Sequence, residues 1–450
     1  MRFTFALWYA KLINKLINLV DKSRGSNLSG EQALRIDPQM VSHFKGINPD
    51  KVLFITGTNG KSSLTNLVSH ILTEQGNVVI SNLEGANLLA GIATILAKAS
   101  NMKGEISADY LVFETDERYL PKIYAQLPAK HLAITNLQKD QVQRNGDPDF
   151  IYRILRSFIN SDMTLYLNND EPRSKSFEDL SNKVVYYGVE KHDESFMKDD
   201  SYPTFACPHC HHKLEFEYYN TDSVGKFSCS HCHFSSNDDP GYLLQKIDTA
   251  AKTFEMEGQA FNMPYDLPFM LYNYSAAVAI ASHFAGLPTE DTASTFESFV
   301  NVGGRYEVLE YHGKTIKYLR IKQENPETLQ NSLNIIASDS SRKLVCLGLY
   351  PLVDIVPNYT NTFYAWDCDF KPLVQSDVEG FFCFSNPVCY DTANRLLYEG
   401  VDPKNILIED TNDVQAIFNT IDQAETDNIY LITWLEDFMK MKKHIIQEGK

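Results

Sequence analysis

A short glycine-rich segment near residue 60 has the residue types that bind a phosphate group. The largely apolar run 51–56 predicts a buried strand, and it leads directly into Gly57-Thr58-Asn59-Gly60-Lys61-Ser62-Ser63. Two glycines let backbone N–H groups approach phosphate oxygens closely, and Lys61 adds a positive charge where the next helix begins. In this arrangement the hydroxyl of Ser62 is a ligand for Mg²⁺. The segment therefore predicts a site for the phosphates of ATP, in which all seven residues 57–63 take part.

The loop is shorter than the common eight-residue phosphate loop. That pattern requires a glycine five positions before Gly60, where this chain has Ile55. The short G-T-N-G-K-S form is similar to that of the Mur-type ligases, which use ATP to join carboxylates to amines. An ordinary turn is the alternative, but the strand, glycines, lysine and hydroxyl come in the order that phosphate binding requires.

Polar side chains also follow the later strands predicted in this half of the chain. A strand at 110–113 ends in Glu114, and a strand at 132–135 ends at Asn136. Strands alternating with helices are typical of a parallel, doubly wound α/β sheet that binds ligands at the carboxyl ends of its strands. We therefore expect Glu114 to hold Mg²⁺ together with Ser62, with a solvated acidic turn as the alternative.

Two cysteine pairs predict a structural zinc site. Cys207-x-x-Cys210 and Cys229-x-x-Cys232 are separated by 18 residues, which is the spacing of a four-cysteine zinc ribbon. Four thiolates complete the tetrahedron, so this Zn²⁺ is expected to stabilise the fold rather than to catalyse. Neighbouring histidines leave a mixed Cys/His ligand set open as an alternative. The other four cysteines lie in apolar segments and are expected to be buried thiols.

Composition limits the partners and the compartment. The chain has 450 residues and a formal net charge of −17, which argues against a nucleic-acid surface. Eight cysteines without an export signal suggest a reducing, cytoplasmic compartment. Residues 3–20 are apolar at helical spacing but are interrupted by Lys11 and Lys15. This predicts an amphipathic helix on the protein body, with peripheral contact to the inner face of the plasma membrane as the alternative.

The alternation of elements predicts three regions. A helical segment covers 1–48, and an ATP-binding α/β domain covers 49–304, with the cysteine ribbon inserted at about 200–240. A second α/β domain, Rossmann-like and facing a partner protein, covers 305–450. Gly303-Gly304 marks an expected hinge, and Arg305 just beyond it is placed to reach a phosphate when the domains close.

With these residues considered together, the chain resembles the MurT family, the Mur-ligase-like subunits of lipid II isoglutaminyl synthases. The resemblance covers most of residues 1–310. It is carried by the phosphate loop, the two cysteine pairs and five further blocks: Asn82-Leu83-Glu84-Gly85-Ala86-Asn87, Glu114-Thr115-Asp116-Glu117, Thr135-Asn136 with Asp140-Gln141, Leu167-Asn168-Asn169-Asp170, and Tyr272-Asn273.

The resemblance implies an ATP-dependent amidating ligase of peptidoglycan synthesis. It implies that the α-carboxylate of D-glutamate in the lipid II stem peptide becomes an acyl phosphate, which ammonia converts to D-isoglutamine. It also implies a heterodimer with a GatD-like glutamine amidotransferase as the ammonia source. Asn273 is implied on the adenine side, and Lys61, Glu114 and Arg305 in catalysis. The alternatives are another Mur or folylpolyglutamate-type amide ligase, and a nucleotide-binding paralogue that does not amidate.

The resemblance is weaker in the C-terminal domain. The family tends to show Lys-Asn-Pro where this chain has Glu324-Asn325-Pro326, and Met270 replaces an expected asparagine. An aspartate of the family that completes the partner's glutaminase triad corresponds to Asn361, counted back from Asp367-Cys368-Asp369-Phe370. Asn361 cannot supply the negative charge that supports an imidazolium, and Asp354 is the alternative carboxylate.

Overall fold

The computed structural model describes residues 1–20, 27–83, 86–140, 148–197, 205–221, 223–265, 267–299, 306–321, 325–349 and 362–448. The chain forms two compact units. The first unit comprises Met1–Gln138 and Asp149–Val302, and the second comprises Lys139–Pro148 and Gly303–Lys450.

The first unit is built on a nine-stranded sheet with the order β11-β10-β9-β6-β5-β4-β1-β3-β2. In this spatial order, each neighbouring pair of strands between β9 and β2 is parallel, as the alternation of strands and helices predicted. The antiparallel strands β10 and β11 extend one edge and were not predicted. The strands of this sheet are β1 (Val52–Thr56), β2 (Val79–Ser81), β3 (Tyr110–Glu114), β4 (His131–Ile134), β5 (Thr164–Asn168), β6 (Lys183–Val189), β9 (Gly241–Asp248), β10 (Thr253–Met256) and β11 (Gln259–Asn262).

Helices cover both faces of this sheet because its central strands are apolar on both sides. Along β1, Leu53 and Ile55 join one buried cluster, whereas Val52 and Phe54 join the cluster on the opposite face. The helices are α1 (Arg2–Val20), α2 (Leu28–Ile36), α3 (Lys61–Glu74), α4 (Leu89–Ala99), α5 (Leu120–Tyr124), α6 (Pro148–Phe158), α7 (Pro172–Lys175), α8 (Pro268–Ala285) and α9 (Thr289–Phe296).

A separate two-stranded hairpin carries the cysteines. It consists of β7 (Glu215–Thr221) and β8 (Val224–Ser228), paired antiparallel. Its small core contains Leu214, Phe227 and Phe234 beside the cysteines. We call residues 205–236 the cysteine ribbon.

The second unit has a six-stranded sheet with the order β12-β13-β17-β14-β15-β16. Its parallel part agrees with the predicted Rossmann-like domain, while the antiparallel hairpin of β12 and β13 was not predicted. The strands are β12 (Tyr306–Tyr311), β13 (Lys314–Arg320), β14 (Lys343–Gly348), β15 (Val378–Cys383), β16 (Ile406–Ile408) and β17 (Asn428–Thr433). The helices are α10 (Pro326–Ser338), α11 (Lys371–Gln375), α12 (Cys389–Tyr398), α13 (Val414–Asp422) and α14 (Leu435–Glu448).

Within the described residues, no helix combines the length and the apolar character needed to cross a bilayer.

Candidate nucleotide site and cysteine ribbon

The phosphate loop joins the end of β1 to the start of α3 through two glycines in left-handed conformations. Gly57 has φ +125° and Gly60 has φ +86°. A Cβ on Gly57 would lie 2.3 Å from Thr135 Oγ1, and one on Gly60 would lie 2.7 Å from Asn273 Oδ1. Both positions therefore require glycine for conformation and for space.

Lys61, the first residue of α3, is buried and held in the loop. Its Nζ donates to the backbone oxygen of Gly57, to that of Thr58 at 3.3 Å, and to Glu117 Oε1 at 2.8 Å. The side chains of Lys61 and Glu117 are only 9% and 10% exposed, so the ion pair is largely desolvated. Sequence reasoning assigned no role to Glu117. Its place three residues after Glu114, in the same acidic turn, was the available signal.

The turn after β4 fixes the backbone of the loop. Asn136 Oδ1 accepts from the N–H of Asn59 at 2.8 Å, and Asn136 Nδ2 donates to the oxygen of Asn59 at 3.1 Å. Thr135 Oγ1 also donates to that oxygen, at 2.7 Å, while the N–H of Thr58 donates to the oxygen of Asn136 at 2.8 Å. The loop conformation is thus set by protein groups on a neighbouring strand.

Gln138 links the loop to the cysteine ribbon. Its Oε1 accepts from Asn59 Nδ2 at 2.8 Å, and its Nε2 donates to Ser223 Oγ at 2.7 Å. Its backbone N–H donates to Thr58 Oγ1 at 2.9 Å. Gln138 and Ser223 are both buried, so this carboxamide is well ordered between loop and hairpin.

Glu114 ends β3, the strand beside β1, and is 5% exposed. Asn82 fixes its backbone: the N–H of Glu114 donates to Asn82 Oδ1 at 2.8 Å, and Asn82 Nδ2 donates to the oxygen of Glu114 at 2.7 Å. Ser62, the second residue of α3, is half-buried. A carboxylate and a hydroxyl that follow adjacent parallel strands are the hard oxygen donors that Mg²⁺ prefers, so the donor set fits this ion.

Asn273 on α8 lies against the loop, with its Oδ1 next to Gly60. It is buried, and its Nδ2 donates to the sulfur of Met270 at 3.5 Å. The structure therefore brings Asn273 to Gly60, although the two residues are more than 200 positions apart along the sequence. Met270 lies one turn earlier on α8. Its sulfur is therefore the neighbour of Asn273 at the position where the family has an asparagine.

The cysteine ribbon places four thiols together through two similar turns. Within each turn the first residue after the cysteine pair donates its N–H back across the turn: His211 to Cys207 O at 2.8 Å, and His233 to Cys229 O at 2.9 Å. Both histidines have φ of 63°, an uncommon left-handed conformation for a residue with a side chain. The matching geometry aims both pairs at one point.

The thiol positions fit a tetrahedral zinc ion. Cys207 Sγ lies 3.6 Å from Cys232 Sγ, and Cys210 Sγ lies 3.5 Å from Cys229 Sγ. All four sulfurs lie within 4.8 Å of one another, against about 3.8 Å for the sulfur separations around tetrahedral zinc. The backbone N–H of Cys232 lowers the pKa of Cys229 to about 6, which favours a thiolate. Cys210, His212 and His231 form a second close group, so the mixed ligand set keeps a geometric basis.

Two buried carboxyl groups follow β5, and sequence reasoning gave them no role. Burial raises the pKa of Asp170 to about 6 and that of Glu171 to about 7. Asp170 Oδ2 accepts from Tyr272 OH and from the N–H of Val189, both at 3.0 Å. The backbone oxygen of Asp170 accepts from Gly225 N at 3.0 Å, so this residue also ties the ribbon hairpin to the sheet.

Several residues singled out in the sequence lie outside the described residues. These are Glu84, Gly85, Gln141, Gly303, Gly304, Arg305, Glu324, Asp354 and Asn361. In the second unit, Asn325 begins α10: its Oδ1 accepts from Thr328 N at 2.9 Å, and its Nδ2 donates to Asp140 Oδ1 at 3.0 Å. Asp367 pairs with Lys139 at 2.7 Å. Residues 139 and 140 thus contribute to the start of α10 and to the turn before α11.

Two family models match the chain. The Mur ligase middle domain matches residues 55–230, and the MurT ligase C-terminal domain matches residues 323–435.

Two curated relatives are similar to this chain over most of its length. The lipid II isoglutaminyl synthase (glutamine-hydrolyzing) subunit MurT of Staphylococcus aureus (strain COL) is 28% identical over 384 residues, covering 84% of each protein. The subunit of the same name from Streptococcus pneumoniae (strain ATCC BAA-255 / R6) is 26% identical over 421 residues, covering 91% of this chain and 90% of the relative.

Solved structures share the fold at lower identity. A pseudomurein peptide ligase type C from Methanothermus fervidus has a TM-score of 0.67 and 18% identity, covering 95% of this chain and 86% of that one. MurF ligase from Thermotoga maritima, solved with ADP, has a TM-score of 0.57 and 14% identity, covering 94% and 85%.

Proposed function

We propose that this chain, which carries the two domains of a MurT-type Mur ligase-like protein, is the ATP-using subunit of a glutamine-dependent amidating ligase. Its substrate is the α-carboxylate of D-glutamate in the stem peptide of lipid II, and its product is D-isoglutamine. The reaction belongs to peptidoglycan synthesis and takes place in the cytoplasm.

The observation that carries the proposal is the preformed cradle around Lys61. Its ammonium group is held by two loop carbonyls and by Glu117, and the loop backbone is fixed by Asn136. A lysine that is positioned before the phosphates arrive loses little conformational freedom on binding them. Gly60, which has no side chain, precedes α3 and leaves the start of the helix open to an anion.

The chemistry begins with transfer of a phosphoryl group. An oxygen of the substrate carboxylate attacks the γ-phosphorus of ATP, the bond to the β-phosphate oxygen breaks, and ADP leaves. Lys61 stabilises the charge that spreads over the phosphoryl oxygens, and Arg305 is assigned to the same task. Bound by Ser62 and Glu114, Mg²⁺ would neutralise charge on the phosphates. Asn273 borders the loop on the side assigned to the adenosine.

Amidation follows when ammonia attacks the carbonyl carbon of the acyl phosphate. The bond from carbon to the phosphate oxygen breaks, inorganic phosphate leaves, and the nitrogen releases one proton. The ammonia is assigned to a GatD-like glutamine amidotransferase in a heterodimer with this chain. Burial keeps the pKa of the Cys346 and Cys383 thiols above its usual range, which suits structural thiols and not a glutaminase nucleophile.

Reconstitution tests the proposal. The full chain is combined with the partner glutaminase, lipid II, MgATP and glutamine, and the stem peptide is analysed by mass spectrometry for replacement of a hydroxyl by an amine. We expect the amide to form with stoichiometric ADP. Formation of ADP with an amino acid joined to the stem peptide would instead support a Mur-type amino-acid ligase, and nucleotide binding without ADP release would support a non-amidating paralogue.

Two further variants address the partner's triad. If Asn361 occupies the position of the family's aspartate, Asn361→Asp raises glutamate release from glutamine by the pair. Loss of glutamate release in Asp354→Ala alone would assign the triad carboxylate to Asp354.

A further inference from the structure

The helix α1 is apolar on two opposite faces. Its inner face packs against the protein body. The buried residues on this face are Ala6, Leu7 and Ala10. Its opposite face is exposed: Phe5, Trp8, Leu12 and Leu16 are 62%, 52%, 54% and 53% exposed. At 3.6 residues per turn these four side chains form one stripe about 80° wide. Tyr9 widens the stripe to about 100°, and Met1 lengthens it at the end of the helix. We call these six residues the outer stripe.

A neighbouring turn enlarges the outer stripe. Trp8 Nε1 donates to the backbone oxygen of Met102 at 3.1 Å, which places this turn beside the indole. Met102 is 56% exposed, and Lys103 after it is exposed as well. The rings of Phe5 and Tyr9 stack with centroids 6.3 Å apart. The result is a continuous apolar and aromatic surface in which the indole N–H of Trp8 is hydrogen-bonded.

Charge around the outer stripe differs in sign from that of the whole chain. Residues 1–20 contain three basic residues and no acidic one, and residues 1–48 contain seven basic and three acidic residues, in a chain with a formal net charge of −17. Lys11 is occupied, because its Nζ donates to Ala97 O at 2.6 Å. Lys15 is exposed at the edge of the stripe.

We propose that the outer stripe of α1 docks onto the headgroup region of a membrane that contains anionic lipid. Tryptophan and tyrosine favour this interface because their rings are apolar and their polar atoms stay near water. A helix that lies in the plane buries the stripe among the acyl chain ends, while Lys15 and Lys103 contact headgroup phosphates. A second copy of the chain is a less suitable occupant, because the two positive segments would face each other.

The proposal goes beyond the proposed amidation and does not depend on it. Vesicles without any peptidoglycan precursor are sufficient to detect docking. Failure to bind such vesicles would leave the amidation assay unaffected, and failure of amidation would leave vesicle binding unaffected.

The experiment measures co-sedimentation of the full chain with vesicles of phosphatidylcholine, alone or mixed with phosphatidylglycerol. The double variant Leu12→Gln with Leu16→Gln is expected to lower the partition coefficient on mixed vesicles at least tenfold, because two apolar side chains no longer enter the lipid. The matched control is Met439→Gln with Ile446→Gln on α14, whose side chains are exposed to a similar degree, 53% and 56%. This control should bind as the wild type does.

A second variant tests the electrostatic part. Lys15→Gln with Lys103→Gln should weaken binding to mixed vesicles about tenfold and leave binding to neutral vesicles unchanged. The proposal is overturned if the wild type binds neither kind of vesicle, or if the α1 and α14 variants lose binding equally. It is also overturned if sedimentation velocity shows a lipid-independent dimer that the Leu12→Gln, Leu16→Gln variant dissociates, because the stripe would then be a contact between copies. Thermal unfolding of each variant should match the wild type, since the substituted side chains are exposed.

Discussion

The phosphate loop and the cysteine ribbon are both short motifs of the first unit, but different interactions stabilise them. In the loop, the side-chain oxygens of Asn136 and Gln138 accept hydrogen bonds from Asn59, and Glu117 accepts one from Lys61. The ribbon has only a small apolar core around Leu214 and Phe227, and its four sulfurs converge on one point. The difference predicts that the loop keeps its shape through protein contacts alone, and that the ribbon needs a metal for its stability.

The largest effect is expected at the ribbon. Cys229→Ser should abolish tight zinc binding and unfold residues 205–236, because a structural zinc site contributes about 10 kcal/mol or more of binding free energy. Metal analysis should give one zinc per wild-type chain and much less in the variant. His231→Ala is the control and should keep its zinc. Loss of zinc in His231→Ala would instead support the mixed ligand set with Cys210 and His212.

The next effect concerns the loop. Lys61→Ala should lower turnover about 10³-fold, since a charged donor to the phosphates is removed. It should also destabilise the unit by about 3 kcal/mol, because Glu117 is left buried without its partner. Turnover and chemical denaturation are measured for both Lys61→Ala and the double variant Lys61→Ala with Glu117→Gln.

The double variant should regain stability but not activity. If it regains neither, the ion pair is not the source of the instability. If Lys61→Ala keeps its nucleotide affinity and its turnover, the assignment of the phosphate site is wrong.

A smaller effect should appear as a pH dependence of stability through Asp170. Its pKa is about 6 in the folded chain against 3.8 for an ordinary aspartate. Between these values the folded state holds a proton that the unfolded state releases, so the contribution of Asp170 to the free energy of unfolding falls as pH rises from about 4 to 6 and is constant above. The change amounts to about 3 kcal/mol at most.

Denaturation at several pH values checks this. Asp170→Asn should show a shallower dependence over that range, and Asp162→Asn, at an exposed carboxylate, should follow the wild type. Parallel curves for all three proteins would contradict the assignment.

The smallest effect separates two consequences of adding a Cβ at Gly60, the unfavourable backbone conformation and the close approach to Asn273. Gly60→Ala introduces a Cβ at φ +86° and 2.7 Å from Asn273 Oδ1, and we expect about a tenfold loss of nucleotide affinity. Gly76 has φ +81° but nothing within 4 Å of a Cβ, so Gly76→Ala carries only the conformational cost. Calorimetric titration with MgATP compares the two. Equal affinities would mean that the approach to Asn273 does not matter.

The sequence was most informative where a local pattern has one physical meaning. The strand, the glycines and Lys61 adjoin in the sequence, and the two cysteine pairs have a spacing that one metal explains, so the parallel sheet and the convergence of the thiols were predicted correctly. Pairings between distant residues were not predicted. The acidic turn after β3 indicates a carboxylate near the loop, but it does not distinguish Glu117 from Asp116, because the partner Lys61 is 56 positions away. Asp170 meets Tyr272 across 102 positions, and burial, which raises its pKa, depends on the whole fold. The functional roles of residues 57–63, Glu114, Asn273 and Arg305 stay predictions.

The position of Gln138 means that the ribbon is not a detachable module. Insertions between two strands are often removed in protein engineering by joining the flanking residues. Here the carboxamide that positions Asn59 is itself held by Ser223, and Asp170 receives the N–H of Gly225. Excision of the ribbon would leave the buried amide of Gln138 without its acceptor and expose the side of the sheet that the hairpin covers. A shortened chain would therefore need a replacement acceptor at that place before its loop could keep its shape.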